Sequence, residues 1–251
     1  MILRSDETLD VEVSDGAMRM HLFRPVMAGR FPGVLLFSEI YQVTDPIRRL
    51  AAVLAGDGYV VAVPEVYHEY EAAGTVLGYD AAGTERGNQL KVAKPVAAFD
   101  DDARAGLTAL AGHPACDGRL ATFGVCLGGH LAYRAALDPR VSAAACFYAT
   151  DIHSGTLGEG RCDDSLARMA ELGAEAMFVW GRQDPHVPLA GRDAIRARLE
   201  EVGALYEWHE VNAQHAFLRD AGPRYDPALF RQAMEWTLAL YRRAFAASPG
   251  A

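Results

Sequence analysis

The chain has 251 residues, of which 51% are hydrophobic and 23% are charged, a balance typical of a folded globular domain rather than a disordered or fibrous chain. Asp and Glu outnumber Lys and Arg by 33 to 24, so the formal net charge is −9 at pH 7. Such a surface repels phosphate backbones and anionic membrane faces, and we expect neither nucleic acid nor a membrane as a partner. One domain over residues 1–251 is expected, because single α/β domains reach about 200–250 residues.

The N-terminal sequence MILRSDETLDVEVSDG scatters acidic residues where a signal peptide needs an apolar stretch. No run in the chain approaches the ~18 apolar residues of a membrane span, and a cytoplasmic protein is therefore expected. The four cysteines show no CxxC spacing and are too few to cross-link a chain of this length, so we expect free thiols.

The strand candidates follow in chain order. LDVEV and AMRMHLF, before residue 25, alternate apolar and polar residues and predict an antiparallel hairpin at a sheet edge. Five nearly continuous apolar runs are typical of strands buried on both faces: GVLLFS (33–38), YVVAVP (59–64), LATFGV (120–125), AAACFYA (143–149) and AMFVWG (176–181). A sixth run, ALYEWHEV (204–211), indicates a more exposed strand of the same sheet.

Helical patterns separate these strands, near 45–57, 88–111, 127–137, 190–202 and 227–246. The alternation predicts an α/β fold: a mostly parallel, doubly wound sheet with helices on both faces and the N-terminal hairpin at one edge. In such sheets the ligand site lies beyond the carboxyl ends of the strands. The residues just after each strand are therefore the candidates for chemistry.

Cys126 lies in such a position, in the segment Gly124-Val125-Cys126-Leu127-Gly128-Gly129 between a strand and a helix. The pattern GxCxG is that of a nucleophile elbow with Cys in place of Ser. Side chains at Gly124 or Gly128 would collide with neighbouring backbone in so sharp a turn. The dipole of the following helix favours the thiolate form of the cysteine. The alternative is a small buried thiol at a tight turn.

Asp184 follows the strand AMFVWG, and His215 follows the strand ALYEWHEV. Nucleophile, acid and histidine in this chain order, each just after a strand, are the arrangement of α/β-hydrolases. Taken singly, Asp184 before a proline could be a turn former and His215 a solvated loop residue. Their joint placement with Cys126 favours a catalytic triad.

Glu39 completes the set at the end of the strand GVLLFS. A carboxylate there would lie near the elbow, and the backbone amides of Ile40 and Leu127 could pair as an oxyanion hole. The alternative is that Glu39 is a helix-start or surface acid.

Four segments together resemble the dienelactone hydrolases (carboxymethylenebutenolidases) over essentially the whole chain: SEIYQV, FGVCLGGH, GRQDPHVP and AQHAFLRD. The resemblance implies an α/β-hydrolase fold and a cofactor-free hydrolase of lactones or carboxylic esters. It also implies a triad of Cys126, His215 and Asp184. Glu39 would contact the thiol and help to deprotonate it when substrate binds.

Members of that family bind a substrate carboxylate through arginines, and Arg219 matches one of them. The resemblance places the second at Arg86, in a stretch that has diverged. Two positions depart from the family pattern: Ala216 stands where a hydroxyl residue is expected, and Leu90 stands where an aromatic is expected. Because these positions shape the pocket, the substrate stays open, as a small lactone or ester with or without a carboxylate.

Three further expectations concern the rest of the chain. In the long stretch after AAACFYA, we expect Asp151, His153 and Ser154 to form a capped surface loop rather than a pocket wall. No histidine shows an HExxH or paired metal spacing, and no glycine motif indicates a nucleotide cradle, so we assign neither metal nor cofactor. Two other functions stay open, a broad hydrolase of small esters or thioesters on the same residues and a non-catalytic binding module.

Overall fold

In the computed structural model, which describes residues 2–247, eight strands form one sheet. The strands are β1 (Leu3–Val13), β2 (Gly16–Pro25), β3 (Phe31–Phe37), β4 (Val60–Pro64), β5 (Cys116–Val125), β6 (Val141–Phe147), β7 (Glu175–Gly181) and β8 (Tyr206–Val211). Their order across the sheet is β1-β2-β4-β3-β5-β6-β7-β8.

The hairpin of β1 and β2 pairs antiparallel to β4, and every later neighbour is parallel, so the predicted fold class is confirmed. Strand β4 is buried along its whole length, as its continuous apolar sequence predicts. Strand β8 lies at the far edge and is half-buried throughout, as its mixed sequence predicts.

The described part of the chain has six α-helices: α1 (Asp45–Gly56), α2 (Ala81–Ala93), α3 (Val96–Gly112), α4 (Leu127–Ala135), α5 (Leu189–Val202) and α6 (Pro227–Ala247). Successive residues of β3 alternate between the two cores, because side chains along a strand point to opposite faces. Val34 and Leu36 pack with α1 and α6 on one face. Leu35 and Phe37 pack with α3, α4 and α5 on the other. No helix within residues 2–247 is both long and apolar enough to cross a membrane.

The single helix predicted over 88–111 is wrong, because the chain forms α2 and α3 there with a break between them. Pro95 causes the break, since the residue before a proline is driven out of helical conformation. Lys94 accordingly has extended backbone angles (φ −76°, ψ 130°), and its buried ammonium donates to Asp102 of α3. Helix α2 also begins earlier than predicted, because the Asp80 side chain caps it by accepting from the Gly83 N–H at 2.8 Å.

Candidate active site

A cavity of about 350 Å³ opens where the carboxyl ends of the parallel strands meet. Glu39 after β3, Cys126 after β5 and His215 after β8 all line it. Arg219, four residues after His215, lines it as well. The structure therefore brings together four of the side chains singled out from the sequence.

The turn between β5 and α4 holds Cys126 in a left-handed conformation, with φ 59° and ψ −123°. A non-glycine residue rarely adopts such angles, and they mark the strained turn of a nucleophile elbow. A side chain at Gly124 would place its Cβ 1.8 Å from the Gly128 oxygen, and one at Gly128 would place its Cβ 2.1 Å from the Phe37 oxygen. The two glycines thus allow the elbow to pack against the helix and the neighbouring strand.

His215 and Asp184 form a buried hydrogen-bonded pair, with 2.7 Å between Nδ1 of His215 and Oδ2 of Asp184. The other carboxylate oxygen of Asp184 accepts the backbone N–H of His186 at 2.8 Å, which fixes the orientation of the acid. Burial alone would lower the pKa of His215, but the charge of a Cys126 thiolate and the Asp184 hydrogen bond outweigh it and raise the pKa to about 10. These interactions favour the imidazolium form of His215.

Glu39 is only 2% exposed, and its carboxylate contacts Tyr79 and Arg219. The Tyr79 hydroxyl donates to Oε2 at 2.9 Å, and Nη1 of Arg219 lies 3.6 Å from Oε1. Burial raises the pKa of Glu39 above its usual range, although the Arg219 charge and the Tyr79 hydrogen bond oppose the shift. A carboxylate in this environment accepts a proton more readily than an exposed one.

The backbone amides of Ile40 and Leu127 are the pair predicted from the sequence to bind an oxyanion. Ile40 follows Glu39 directly and lines the cavity. Leu127 is the first residue of α4, where the backbone N–H has no acceptor within the helix. Leu127 thus directly follows Cys126, and Ile40 lines the same cavity as that cysteine.

Arg86 does not line the cavity, in contrast to the expectation from the family resemblance. Its side chain is 44% exposed and pairs with Glu71 at 2.7 Å. Thr84, Asn88 and Lys91 of the same helix do line the cavity, and their spacing of four and three residues puts them on one helical face. Arg86 lies about 200° around the helix from Thr84, at 100° per residue, which turns it away.

The segment after β6 also differs from the expectation of a surface loop, because Asp151, His153 and Ser154 line the cavity. Asp151 is buried, has φ 68°, and accepts two hydrogen bonds from the Lys91 ammonium at 2.9 and 3.0 Å. This ion pair with α2 draws the loop inward. The pairing of residues 60 positions apart has no signature in the local sequence.

Sequence reasoning also missed Tyr79, His186 and Arg224. The His186 ring lies edge-on to His215, with 4.6 Å between centroids, and it lines the cavity together with Arg224. The GRQDPHVP segment contains His186 but gives no reason to assign it a role. The helical spacing of Thr84, Asn88 and Lys91 is a signal that could have been found.

Two clusters within residues 2–247 bring metal-ligating atoms within 4.8 Å of one another, Asp184-His186-His215 and His68-Glu69-Asp102. In the first, both oxygens of the carboxylate already accept hydrogen bonds. In the second, the Lys94 ammonium lies 2.5 Å from oxygens of both Glu69 and Asp102. The Lys94 ammonium thus already occupies the second cluster, and in the first the Asp184 carboxylate is engaged by the His215 ring and the His186 backbone N–H.

Comparison with known proteins identifies the family to which the chain is similar. The family model described as "Dienelactone hydrolase family" matches residues 18–245. A Saccharomyces cerevisiae protein named "Putative carboxymethylenebutenolidase" is 43% identical over 93% of this chain and 90% of its own length. The carboxymethylenebutenolidase of Pseudomonas sp. strain P51 is 27% identical over 94% of this chain and 95% of its own.

Among solved structures, the crystal structure titled "Putative Dienelactone Hydrolase" from Klebsiella pneumoniae superposes with a TM-score of 0.83. The superposition covers 96% of this chain and 99% of the other, at 22% sequence identity. At that identity the likeness establishes the fold, which is the α/β-hydrolase fold.

Proposed function

The chain belongs to the dienelactone hydrolase family, and on that premise we propose that it is a cysteine hydrolase of lactones or carboxylic esters that works through an acyl-enzyme. The proposed triad is Cys126, His215 and Asp184. The observation that carries the proposal is a cysteine on a strained elbow in the same cavity as a histidine that is hydrogen-bonded to a buried aspartate.

In the first half of the reaction, Glu39 takes the proton of the Cys126 thiol. The raised pKa and the burial of Glu39 support this role. The thiolate sulfur then attacks the carbonyl carbon, and the amides of Ile40 and Leu127 stabilise the negative oxygen that forms. When the carbonyl re-forms, the bond to the alcohol oxygen breaks, and that oxygen takes a proton from the His215 imidazolium.

In the second half, His215 takes a proton from water, and the resulting hydroxide attacks the thioester carbon. The bond from carbon to sulfur breaks, the carboxylic acid product leaves, and Glu39 returns its proton to the Cys126 thiolate, which restores the starting state. Asp184 holds the Nδ1 proton of His215, so that Nε2 is the atom that exchanges protons. Nothing is consumed except substrate and one water.

Arg219 is the proposed contact for a substrate carboxylate, since it lines the cavity close to Glu39. In the structure its guanidinium is shared with Glu39 and lies over the Tyr79 ring, 4.3 Å from the centroid. A substrate carboxylate would thus compete with Glu39 for the Arg219 guanidinium, so the binding of an anion would change the ability of Glu39 to accept a proton.

A broad hydrolase of small esters or thioesters is the second candidate. The observation in its favour is the outward position of Arg86, which leaves the cavity without one cation that the family resemblance implies.

A hydrolysis screen tests both candidates. Purified protein is given a carboxylate-bearing dienelactone, a neutral aryl ester and an alkyl thioester, and each rate is compared with that of Cys126→Ala. Cys162→Ala is the matched control, because Cys162 is an exposed thiol outside the cavity. We expect turnover of at least the lactone, lost in Cys126→Ala and kept in Cys162→Ala. Absence of turnover with every substrate would favour a binding module.

A further inference from the structure

Glu39 is the buried acid on which the proposed mechanism depends, and two side chains hold its carboxylate. The Tyr79 hydroxyl donates to Oε2 at 2.9 Å. Nη1 of Arg219 lies 3.6 Å from Oε1, which is within ion-pair distance but beyond that of a hydrogen bond. Among residues 2–247, Tyr79 therefore supplies the one hydrogen bond that this carboxylate accepts.

A short chain of hydroxyl groups fixes the direction of that hydrogen bond. Oγ1 of Thr44 lies 2.7 Å from the Tyr79 hydroxyl. An ionised carboxylate can only accept, so the single hydroxyl proton of Tyr79 points to Glu39, and Thr44 donates its own proton to the Tyr79 oxygen. Burial and the charge of Glu39 raise the pKa of Tyr79 above its usual value, so Tyr79 stays a neutral donor near neutral pH. The chain of Thr44 and Tyr79 thus stabilises the ionised form of Glu39.

Thr44 does not play the local role that is usual at its position. It is the N-cap of α1, where a threonine side chain normally accepts a backbone N–H of the first turn. Here the side chain makes no such bond, although Thr44 is only 3% exposed. Its hydroxyl contacts Tyr79 instead, 35 positions away in the sequence. A buried threonine hydroxyl that does not cap its own helix indicates that this position provides the contact with Tyr79.

The Tyr79 ring is fixed by its neighbours. It packs edge-on against Tyr41, with 4.7 Å between ring centroids, and the Arg219 guanidinium lies 4.3 Å from its centroid. The next residue, Asp80, caps α2. In the described part of the chain, Tyr79 is not among the residues that line the cavity. Tyr79 therefore contacts Glu39 from behind and leaves the cavity side of the site to other residues.

We infer that Tyr79, supported by Thr44, is the positioning residue of Glu39: it orients the carboxylate and keeps it ionised until Cys126 gives up its proton. The inference rests on the proposed function and adds to it the group that controls the base. When a substrate engages Arg219, Oε1 of Glu39 loses its ion pair, whereas the hydrogen bond from Tyr79 to Oε2 remains. Tyr79 is thus the contact that holds Glu39 during the reaction.

Several other groups also act on the ionisation of Glu39. The titratable and charged groups that face it are Arg219, Arg224 and His215 from the loop after β8, Tyr148 from the end of β6, Cys126 from the elbow and Tyr79 from the segment before α2. Replacing Tyr79 by Phe removes a neutral hydroxyl and leaves each of the other groups in place. A shift in the ionisation of Glu39 in this variant therefore reports the lost hydrogen bond.

The test is the pH profile of kcat/KM for 4-nitrophenyl acetate in wild type and Tyr79→Phe. The variant keeps the ring beneath Arg219 and removes only the hydroxyl. Glu39 must be ionised to accept a proton, and loss of a hydrogen bond to the ionised form raises its pKa, so the acid limb should move to higher pH by about one unit. We expect kcat/KM to fall about tenfold below this limb and to change little above it, with KM nearly constant. Glu39→Gln identifies the limb, because the limb should be absent in that variant.

Two further variants make the comparison specific. Thr44→Val should move the acid limb in the same direction by a smaller amount, because the Tyr79 hydroxyl becomes a weaker donor when its oxygen no longer accepts a hydrogen bond. Tyr70→Phe is the matched control, since Tyr70 is 40% exposed and its hydroxyl donates to the Ala93 oxygen outside the cavity. It should leave the profile unchanged. A loss of kcat/KM in Tyr79→Phe that is equal at every pH would mean that Tyr79 only supports its segment, and this outcome overturns the inference.

Carbon-13 NMR of the Glu39 carboxyl group separates this inference from the proposed function. Protein labelled with [5-¹³C]glutamate is titrated without substrate, and the resonance that is missing in Glu39→Gln is assigned to Glu39. We expect its midpoint to lie about one pH unit higher in Tyr79→Phe than in wild type. Equal midpoints refute the inference even if esters are hydrolysed. If no ester is hydrolysed but the midpoint shifts, the hydrolase proposal fails and the control of Glu39 by Tyr79 stands.

Discussion

Replacing Asp184 by Asn probes the proposed triad by removing one charge without changing side-chain size. The carboxylate accepts two hydrogen bonds, from Nδ1 of His215 at 2.7 Å and from the N–H of His186 at 2.8 Å. An amide has only one oxygen. If that oxygen keeps the N–H of His186, the amide NH₂ faces Nδ1 and forces the proton of His215 onto Nε2.

The consequence is a large kinetic effect. With its proton on Nε2, His215 cannot accept one from water, so kcat should fall by about 10²–10⁴, the range for losing a positioned base. In the opposite orientation the amide NH₂ faces the backbone N–H of His186, and this unsatisfied buried donor lowers the stability of the fold by about 1–3 kcal/mol. The free energy of unfolding should therefore fall by no more than about 3 kcal/mol, and the protein should stay folded.

The assay is steady-state ester hydrolysis with a urea unfolding curve on the same preparation. Asp193→Asn is the control, since Asp193 is an exposed acid on α5 and its replacement removes the same charge. It should leave kcat within twofold of wild type. A folded Asp184→Asn variant whose kcat lies within about threefold of wild type would refute the role assigned to the pair of Asp184 and His215.

Three other predictions concern the base, the elbow and the hairpin. Glu39→Gln should lower kcat about 10- to 1000-fold, because the buried proton acceptor is lost, while the urea midpoint changes little; normal turnover with a large loss of stability would make Glu39 a structural acid. Gly128→Ala should cost about 3 kcal/mol or more in urea unfolding, since its Cβ would lie 2.1 Å from the Phe37 oxygen, whereas Gly112→Ala, with open space around it, should be nearly neutral. Hydrogen bonds from Arg24 lower the pKa of Glu7 from 4.5 to about 2, so the stabilisation of the folded state by this ion pair is complete above pH 4.5 and is lost as the pH falls toward 2. Glu7→Gln should therefore weaken the loss of unfolding free energy between pH 4.5 and 2. An unchanged acid dependence would exclude the ion pair of Glu7 and Arg24 as its cause.

The part of the site that could be predicted consists of residues fixed by strand ends. Cys126 and His215 each follow an apolar run, and parallel strands bring their carboxyl ends to one edge whatever the loops do. The glycines around Cys126 are required because a Cβ at Gly124 or Gly128 would collide with neighbouring backbone in this sharp turn, so they can be recognised in the sequence. The order of the elements, from the hairpin to α6, follows from the same alternation of patterns.

What could not be predicted depends on how α2 is rotated and where loops turn. A Cβ at Gly87 would lie 2.5 Å from the Ile40 oxygen, so α2 packs with that face inward and presents Lys91 to the cavity and Arg86 to solvent. The inward course of Asp151 depends on an ion pair with Lys91 across the cavity wall. The rotation of α2 and the course of this loop are set by tertiary contacts, which a local sequence pattern does not contain.

Trapping the acyl-enzyme tests the central claim most directly. His215→Ala, which lacks the proposed base for hydrolysis of the thioester, is mixed with 4-nitrophenyl acetate, quenched in acid and measured by intact-protein mass spectrometry, with peptide mapping of all four cysteines. The account predicts the mass of one acetyl group on the peptide that contains Cys126. Acetylation of Cys116, Cys146 or Cys162 instead would contradict it. Ester hydrolysis by Cys126→Ala at the wild-type rate would contradict it as well.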